Sequence, residues 1–325
     1  MGSTPLRQTW MDVVRGVCIV LVLLLHAYSL IMNSPGTETI KAFNLVFGPY
    51  RMPILMFLSG LLLHRSLGKE VRPYVYGKLA TIFWPFLIWS LVVLAAEQRL
   101  TLENILKVPI SSPTLLWYLW FLFAYYIIAL VLKRLKVSFA LVAVVALIAS
   151  LFLPDFLRMS RFAYLLFFFL LGEVVLERDV RIVDRRIVAG LIAVAIAGAV
   201  LSVQGFSMSY NALYAWAPVS LVLAFYSLPR HLYEFPGSSF LQWIGRNSLV
   251  FYVVHFPVQV MFDRAISPLF SGNVVLLYAL IFAVGLTVSA LFVVLRNMSE
   301  PVAGLFDFKR LPIPATWRRS SRPPR

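Results

Sequence analysis

The chain is a series of long apolar runs separated by short polar, mostly basic segments. The runs fall at about 13–31, 43–64, 79–96, 115–132, 137–153, 161–177, 187–203, 209–228, 243–262 and 274–295. Most approach the roughly 20 residues that an α-helix needs to cross a hydrocarbon core. The pattern predicts an all-α, polytopic bundle of about ten spans. Pro154-Asp155 divides the fifth run from the sixth, and Pro218 interrupts the eighth. An even number of spans puts both termini on one side. Residues 1–300 then form the membrane domain. Residues 301–325 form a Pro- and Arg-rich tail, expected to be disordered and held near anionic lipid.

The basic residues orient the bundle. With the N-terminus inside, the inner segments hold 20 Lys and Arg residues and the outer loops hold 6. Arginine and lysine accumulate on the cytoplasmic side of membrane proteins, so the expectation is N-in and C-in.

Polar residues inside the apolar runs are the candidates for chemistry. Val13-Val14-Arg15 opens the first run, and His26-Ala27-Tyr28 lies near its far end. Eleven residues at about 100° each return to within roughly 20° of the same helix face, and at 1.5 Å each they separate the two groups by roughly 16 Å. A guanidinium and an imidazole on one face of a span are costly and point to function. Counting inward from the predicted ends, His26, Arg51, Trp120 and His255 fall roughly 8–11 Å below the outer boundary. Four spans thus bring polar or amphipathic groups to one depth. Arg15 lies instead near the inner face, beside Arg72 and Lys78.

Composition agrees with a membrane protein. Of 325 residues, 61% are hydrophobic and 13% are charged, against roughly 45–50% and 25% in soluble proteins. The net charge of +15 follows the loop bias, so nucleic acid is not expected as a partner. Cys18 is the single cysteine, which excludes an intramolecular disulfide framework. The first run is too long for a signal-peptide core and no small-residue cleavage site follows it, so no cleavable leader is expected. Walker A, HExxH, CxxC and GxSxG patterns are absent, and no metal site is indicated. No internal repeat is visible.

Each candidate also has a structural reading. Arg15 would be an interfacial anchor paired with Asp12, Arg51 an outer anchor, and His255 a helix–helix hydrogen bond. Trp117, Tyr118 and Trp120 would form an aromatic belt. Glu173 would pair with a loop arginine, and His64 and His231 would be inert. His26 is the hardest to place this way, since an imidazole among Leu and Val needs a partner.

Four local patterns, in order, resemble the acyltransferase 3 family of multi-pass membrane enzymes. Arg15 and His26, separated by ten residues, fit its first helix. "YRMPILMFLSGLLL", with Arg51, Pro53, Phe57, Ser59 and Gly60, fits its second. Trp120-Phe121-Leu122 fits a later aromatic span. Gly245, Ser248, Leu249, Tyr252 and His255 fit a late helix. The family often carries two arginines three apart at the start of its third helix; here Lys78 and Thr81 stand there.

The resemblance implies a stand-alone O-acyltransferase of a bacterial inner membrane. It would move an acyl group, most often acetyl, from cytosolic acyl-CoA to a hydroxyl of a glycan or glycan-like acceptor. Acyl-CoA is then a co-substrate, and no permanently bound cofactor is implied. His26 would be the catalytic base with Arg15 in support, a role its ordinary pKa near 6.5 suits. Arg15, Lys78 and Arg72 would hold the donor phosphates. Arg51, Trp120, Ser248 and His255 would face the acceptor. Homo-oligomerisation, and an acyl-histidine intermediate, are left open. The competing reading is a transporter or lipid-linked glycan flippase. Such proteins show broken helices at matching positions of duplicated halves, which this chain lacks.

Overall fold

The computed structural model describes residues 9–112, 114–270 and 273–311. The described part is all-helical. In chain order the helices are α1 (Thr9–Ile31), α2 (Glu38–Phe47), α3 (Arg51–Gly60), α4 (Leu63–Leu67), α5 (Val71–Lys78), α6 (Trp84–Ala96), α7 (Leu102–Ser111), α8 (Trp117–Arg134), α9 (Phe139–Ala149), α10 (Met159–Glu177), α11 (Arg185–Val203), α12 (Trp216–Ser227), α13 (Ser238–Arg246), α14 (Ser248–Ile266), α15 (Val274–Met298) and α16 (Glu300–Gly304). Among the described residues, eight helical stretches are long and apolar enough to cross a membrane. The fifth and eighth runs give only the shorter apolar helices α9 and α12. Pro218 falls in the first turn of α12, where a missing N–H is harmless. It starts that helix rather than interrupting it.

Three runs hide a break that hydropathy alone does not show. The second contains α2 and α3 separated by Gly48-Pro49-Tyr50. In the third, residues Leu79–Phe83 form a π-helical turn before Trp84-Pro85. Proline cannot donate to the fourth carbonyl before it and crowds that carbonyl, and the wider turn relieves this. The ninth run begins in α13 and continues in α14 after a break at Asn247.

The α1–α13 contact fixes how α14 sits against α1. A Cβ on Gly16 would overlap the Leu241 carbonyl, and one on Gly245 would overlap the Asp12 carbonyl. Only glycine permits this backbone approach, a common device where helices pack in a membrane. The crossing places the start of α14 beside α1, and the two run parallel. Asp12 opposes Gly245, the Gln259 amide donates to the Leu23 carbonyl at 3.1 Å, and His26 meets His255.

Residues 301–311, expected as part of a disordered tail, fold back on the bundle. The Trp84 indole donates to the Gly304 carbonyl at 2.8 Å. Phe306 is buried with its ring 5.3 Å from Trp89. Apolar Val302, Leu305, Phe306 and Phe308, ahead of the basic pair Lys309-Arg310, explain why it docks. The rest of the predicted tail, 312–325, lies outside the described residues.

Candidate functional site

Two connected regions lie along the α1–α14 pair. The first is a cleft of about 210 Å³ near the start of both helices. Arg15 and Ile19 line it from α1, Leu55 and Ser59 from α3, Thr81 and Ile82 from the π turn, Tyr118 from α8, and Ser248 and Tyr252 from α14. The guanidinium of Arg15 makes no hydrogen bond or ion pair among the described residues. It is not held by Asp12, whose carboxylate lies 3.4 Å from Arg246 Nε. The cleft floor is built from fixed hydroxyls. Tyr118 and Ser59 lie 3.4 Å apart, and the Tyr118 and Tyr252 rings are 5.4 Å apart.

The second region is a histidine chamber two turns further along. The His26 and His255 rings are 5.3 Å apart, tilted by 33°, with Phe256 also 5.3 Å from His26. Tyr252 bridges the two regions, since its ring lines the cleft and stands 6.3 Å from His255. His255 is only 1% exposed. Its Nδ1 is 2.7 Å from the Phe251 carbonyl. A carbonyl can only accept, so Nδ1 carries the proton and Nε2 presents a bare lone pair. That Nε2 is buried without a partner, as is Oε1 of Gln259 one turn later. Buried polar atoms are rarely left unpaired, and such exceptions mark working sites.

Arg51 ties this chamber together and is 5% exposed, so it is not an interfacial anchor. It donates to Asn44 Oδ1 at 3.0 Å, to the Asn44 carbonyl at 3.3 Å and to the Leu21 carbonyl of α1 at 3.2 Å. The last turn of α2 leaves carbonyls unsatisfied at the break, and a guanidinium there completes them. Arg51 is also within electrostatic reach of His26.

The structure does not gather every expected residue. Arg15 and Ser248 share the cleft, and His26, His255 and Arg51 share the chamber. Trp120 belongs to neither: its indole donates to the Pro109 carbonyl at 2.9 Å and it packs on Phe121 and Phe162. Lys78 sits one turn before Thr81, with Nζ 3.4 Å from the centre of the Tyr126 ring and 3.1 Å from Ser66 Oγ. Arg72 is exposed beside Tyr76 and does not line the cleft. Glu173 pairs with His64 at 3.1 Å rather than with a loop arginine. Gln259 and Tyr252 carry more of the site than their sequence context suggested. The signal for Gln259 was its spacing, four residues after His255 and so on the same face.

A family model described as an acyltransferase domain, the acyltransferase 3 domain, matches residues 8–294. The chain belongs to the acyltransferase 3 family. Acyl transfer is the class of chemistry that this membership carries. The four patterns that suggested the family all fall within the matched residues, and three of them converge on the α1–α14 pair. The chain is also similar to the inner membrane protein YcfT of Escherichia coli (strain K12), with 23% identity over 362 aligned positions that cover 96% of this chain and 99% of the relative. No solved structure matches.

Proposed function

We propose that this acyltransferase 3 protein moves an acetyl-sized acyl group from acyl-CoA to a hydroxyl of a glycan-like acceptor within the bacterial inner membrane. The observation that carries the reading is the His26–His255 pair, with its bare Nε2, lying two turns beyond a cleft that holds Arg15, which is unpaired among the described residues. The lysine and arginine bias supports an Arg15 end that faces the cytosol, where acyl-CoA is made. The likeness to an inner membrane protein supports the location.

In this reading the donor approaches from the Arg15 end. Arg15 neutralises phosphate charge, with Lys78 and Arg72 flanking the same end. The pantetheine arm, about as long as the roughly 16 Å rise from Arg15 to His26, passes Ser248 and Tyr252 and presents its thioester to the histidines. The acceptor hydroxyl attacks the thioester carbon while His26 takes its proton. The tetrahedral oxyanion forms in the positive field of Arg51. Collapse breaks the carbon–sulfur bond, and the imidazolium returns its proton to the departing thiolate of CoA. His255, fixed as the Nδ1–H tautomer, holds a lone pair beside this proton path and orients His26 or the acceptor hydroxyl.

The test is turnover of radiolabelled acetyl-CoA by the purified chain in lipid, with mass spectrometry of glycans from cells with and without the gene. The expected result is an acetyl mass difference on a glycan and loss of turnover in His26→Ala. Unchanged glycans together with full His26→Ala turnover would sink the reading and favour a transporter.

A further inference from the structure

At the end of the bundle away from Arg15, a second group of cations makes no ion pair among the described residues. Arg158 and Arg161 lie at the start of α10, and Tyr210 lies in the segment between α11 and α12. The Arg161 guanidinium sits 4.3 Å from the Tyr210 ring centre and 5.3 Å from that of Trp117. Arg158 donates to the Ser112 carbonyl at 3.1 Å. Tyr210 is within electrostatic reach of Arg161, Arg51 and Arg158 together. None of these three arginines is in an ion pair among the described residues, and Asp155 is the one carboxylate acting on Arg158. Three guanidiniums around one half-buried phenol are unfavourable unless an anion completes them.

Two independent features mark the same place. The backbone is strained there: Ser112, Leu157, Arg158 and Tyr210 have φ of 44°, 50°, 60° and 57°. These are four of the seven non-glycine residues in the left-handed region among the described residues. Strain of this kind persists where the surroundings hold a side chain to a task. Polar atoms are also left over: Arg161 Nε, Ser112 Oγ and Tyr164 OH are buried without partners. The Tyr164 and Tyr210 rings lie 6.2 Å apart, so the orphan hydroxyl borders the cluster.

Guanidiniums with free donors, set beside aromatic rings and spare hydroxyls, fit a sugar that carries an oxyanion. The guanidiniums pair with a carboxylate or phosphate, the half-buried Tyr210 ring takes the apolar side of the sugar, and the hydroxyls bond its oxygens. The cluster also borders the chamber. Arg158 acts on Tyr252, whose ring is 6.3 Å from His255. We infer that Arg158, Arg161, Trp117 and Tyr210 form the acceptor subsite, and that the acceptor is an anionic sugar bearing a carboxylate or phosphate group. This rests on the acyl-transfer reading only for the word acceptor; the binding chemistry is independent of it.

Thermal unfolding of the purified full chain in detergent tests it, with glucuronate, glucose 6-phosphate, glucose and inorganic phosphate as probes. Ligands that bind only the folded state raise the unfolding midpoint. Glucuronate or glucose 6-phosphate is expected to raise it and neutral glucose is not. The rise is expected to vanish in Arg158→Gln and Arg161→Gln and to survive in Lys107→Ala, an exposed lysine of α7. Unliganded midpoints of the variants report whether they fold, and Arg161→Lys, which keeps the charge, should retain part of the rise. An equal rise with glucose, a rise that survives both glutamine variants, or no rise with either anionic sugar would overturn the assignment. Inorganic phosphate matching glucose 6-phosphate would reduce the site to a bare anion site and overturn the sugar. His26-dependent turnover of acetyl-CoA, measured on the same preparations, stands or falls separately.

Discussion

The two ends of the α1–α14 pair hold their polar groups differently. In the cleft, Arg15 has no hydrogen-bond or ion-pair partner among the described residues, and its neighbours are hydroxyls and apolar side chains. In the chamber, Arg51 makes three hydrogen bonds, Gln259 is tied to Leu23, and His255 is fixed to its own helix. A loosely held cation suits a long, flexible, charged ligand that must arrive and leave. A locked set of donors and one bare lone pair suits a bond-making step, where misplacement is expensive in rate. In the proposed reading, one helix pair separates binding from chemistry by about two to three turns.

The sharpest way to break this contrast is at the chamber. His26→Ala should lower turnover by about 10²–10⁴-fold, the usual worth of a positioned general base, with little change in the unfolding midpoint. A steady-state assay in lipid checks it. Retention of a tenth of wild-type turnover would remove His26 from the base role. His255→Ala should lose about 10²-fold, and His255→Asn, which keeps the donor to Phe251 but not the lone pair, should be no better. Recovery in His255→Asn would make the residue a spacer.

The helix crossing that aligns both regions comes next. Gly245→Val places side-chain atoms on the Asp12 carbonyl. Overpacking of this kind costs about 1–3 kcal/mol or more, so thermal unfolding in detergent should show a markedly lower midpoint. Unaltered stability would mean that α13 does not hold α1 in register.

Smaller effects are expected where groups are peripheral to the helix pair. Trp120→Phe removes one hydrogen bond, to the Pro109 carbonyl, and should cost about 1 kcal/mol of stability. Its Michaelis constant for acceptor should stay unchanged. A raised constant would return Trp120 to the acceptor wall that the family pattern suggested.

Much of the fold was legible because hydropathy reports burial in lipid directly. What it does not report is backbone continuity. The ninth run reads as one span because Trp243-Ile244 lead within a few residues into the apolar stretch after Asn247, yet they belong to α13. The same holds across Gly48-Pro49. Residues 301–311 read as tail because they are too short for a span and run into a Pro- and Arg-rich sequence, which hides two docking phenylalanines. At the site, the types of residue were visible and their pairing was not. Eleven-residue spacing placed Arg15 and His26 on one face, but only the crossing at Gly16 and Gly245 brings His255 to His26. Arg158 and Arg161 read as loop charges, because neither their missing counter-ions nor the strained backbone beneath them is written in residue type.

The division of labour along α1 and α14 is tested most directly by isothermal titration with a non-hydrolysable acetyl-CoA analogue. Wild type, Arg15→Ala and His26→Ala would be compared as purified full chains. The expected result is wild-type affinity in the inactive His26→Ala, and affinity about tenfold weaker in Arg15→Ala, the loss of one charge-assisted contact. Intact binding in Arg15→Ala together with lost binding in His26→Ala would contradict it, since the donor would then be held at the histidines and not at the cleft.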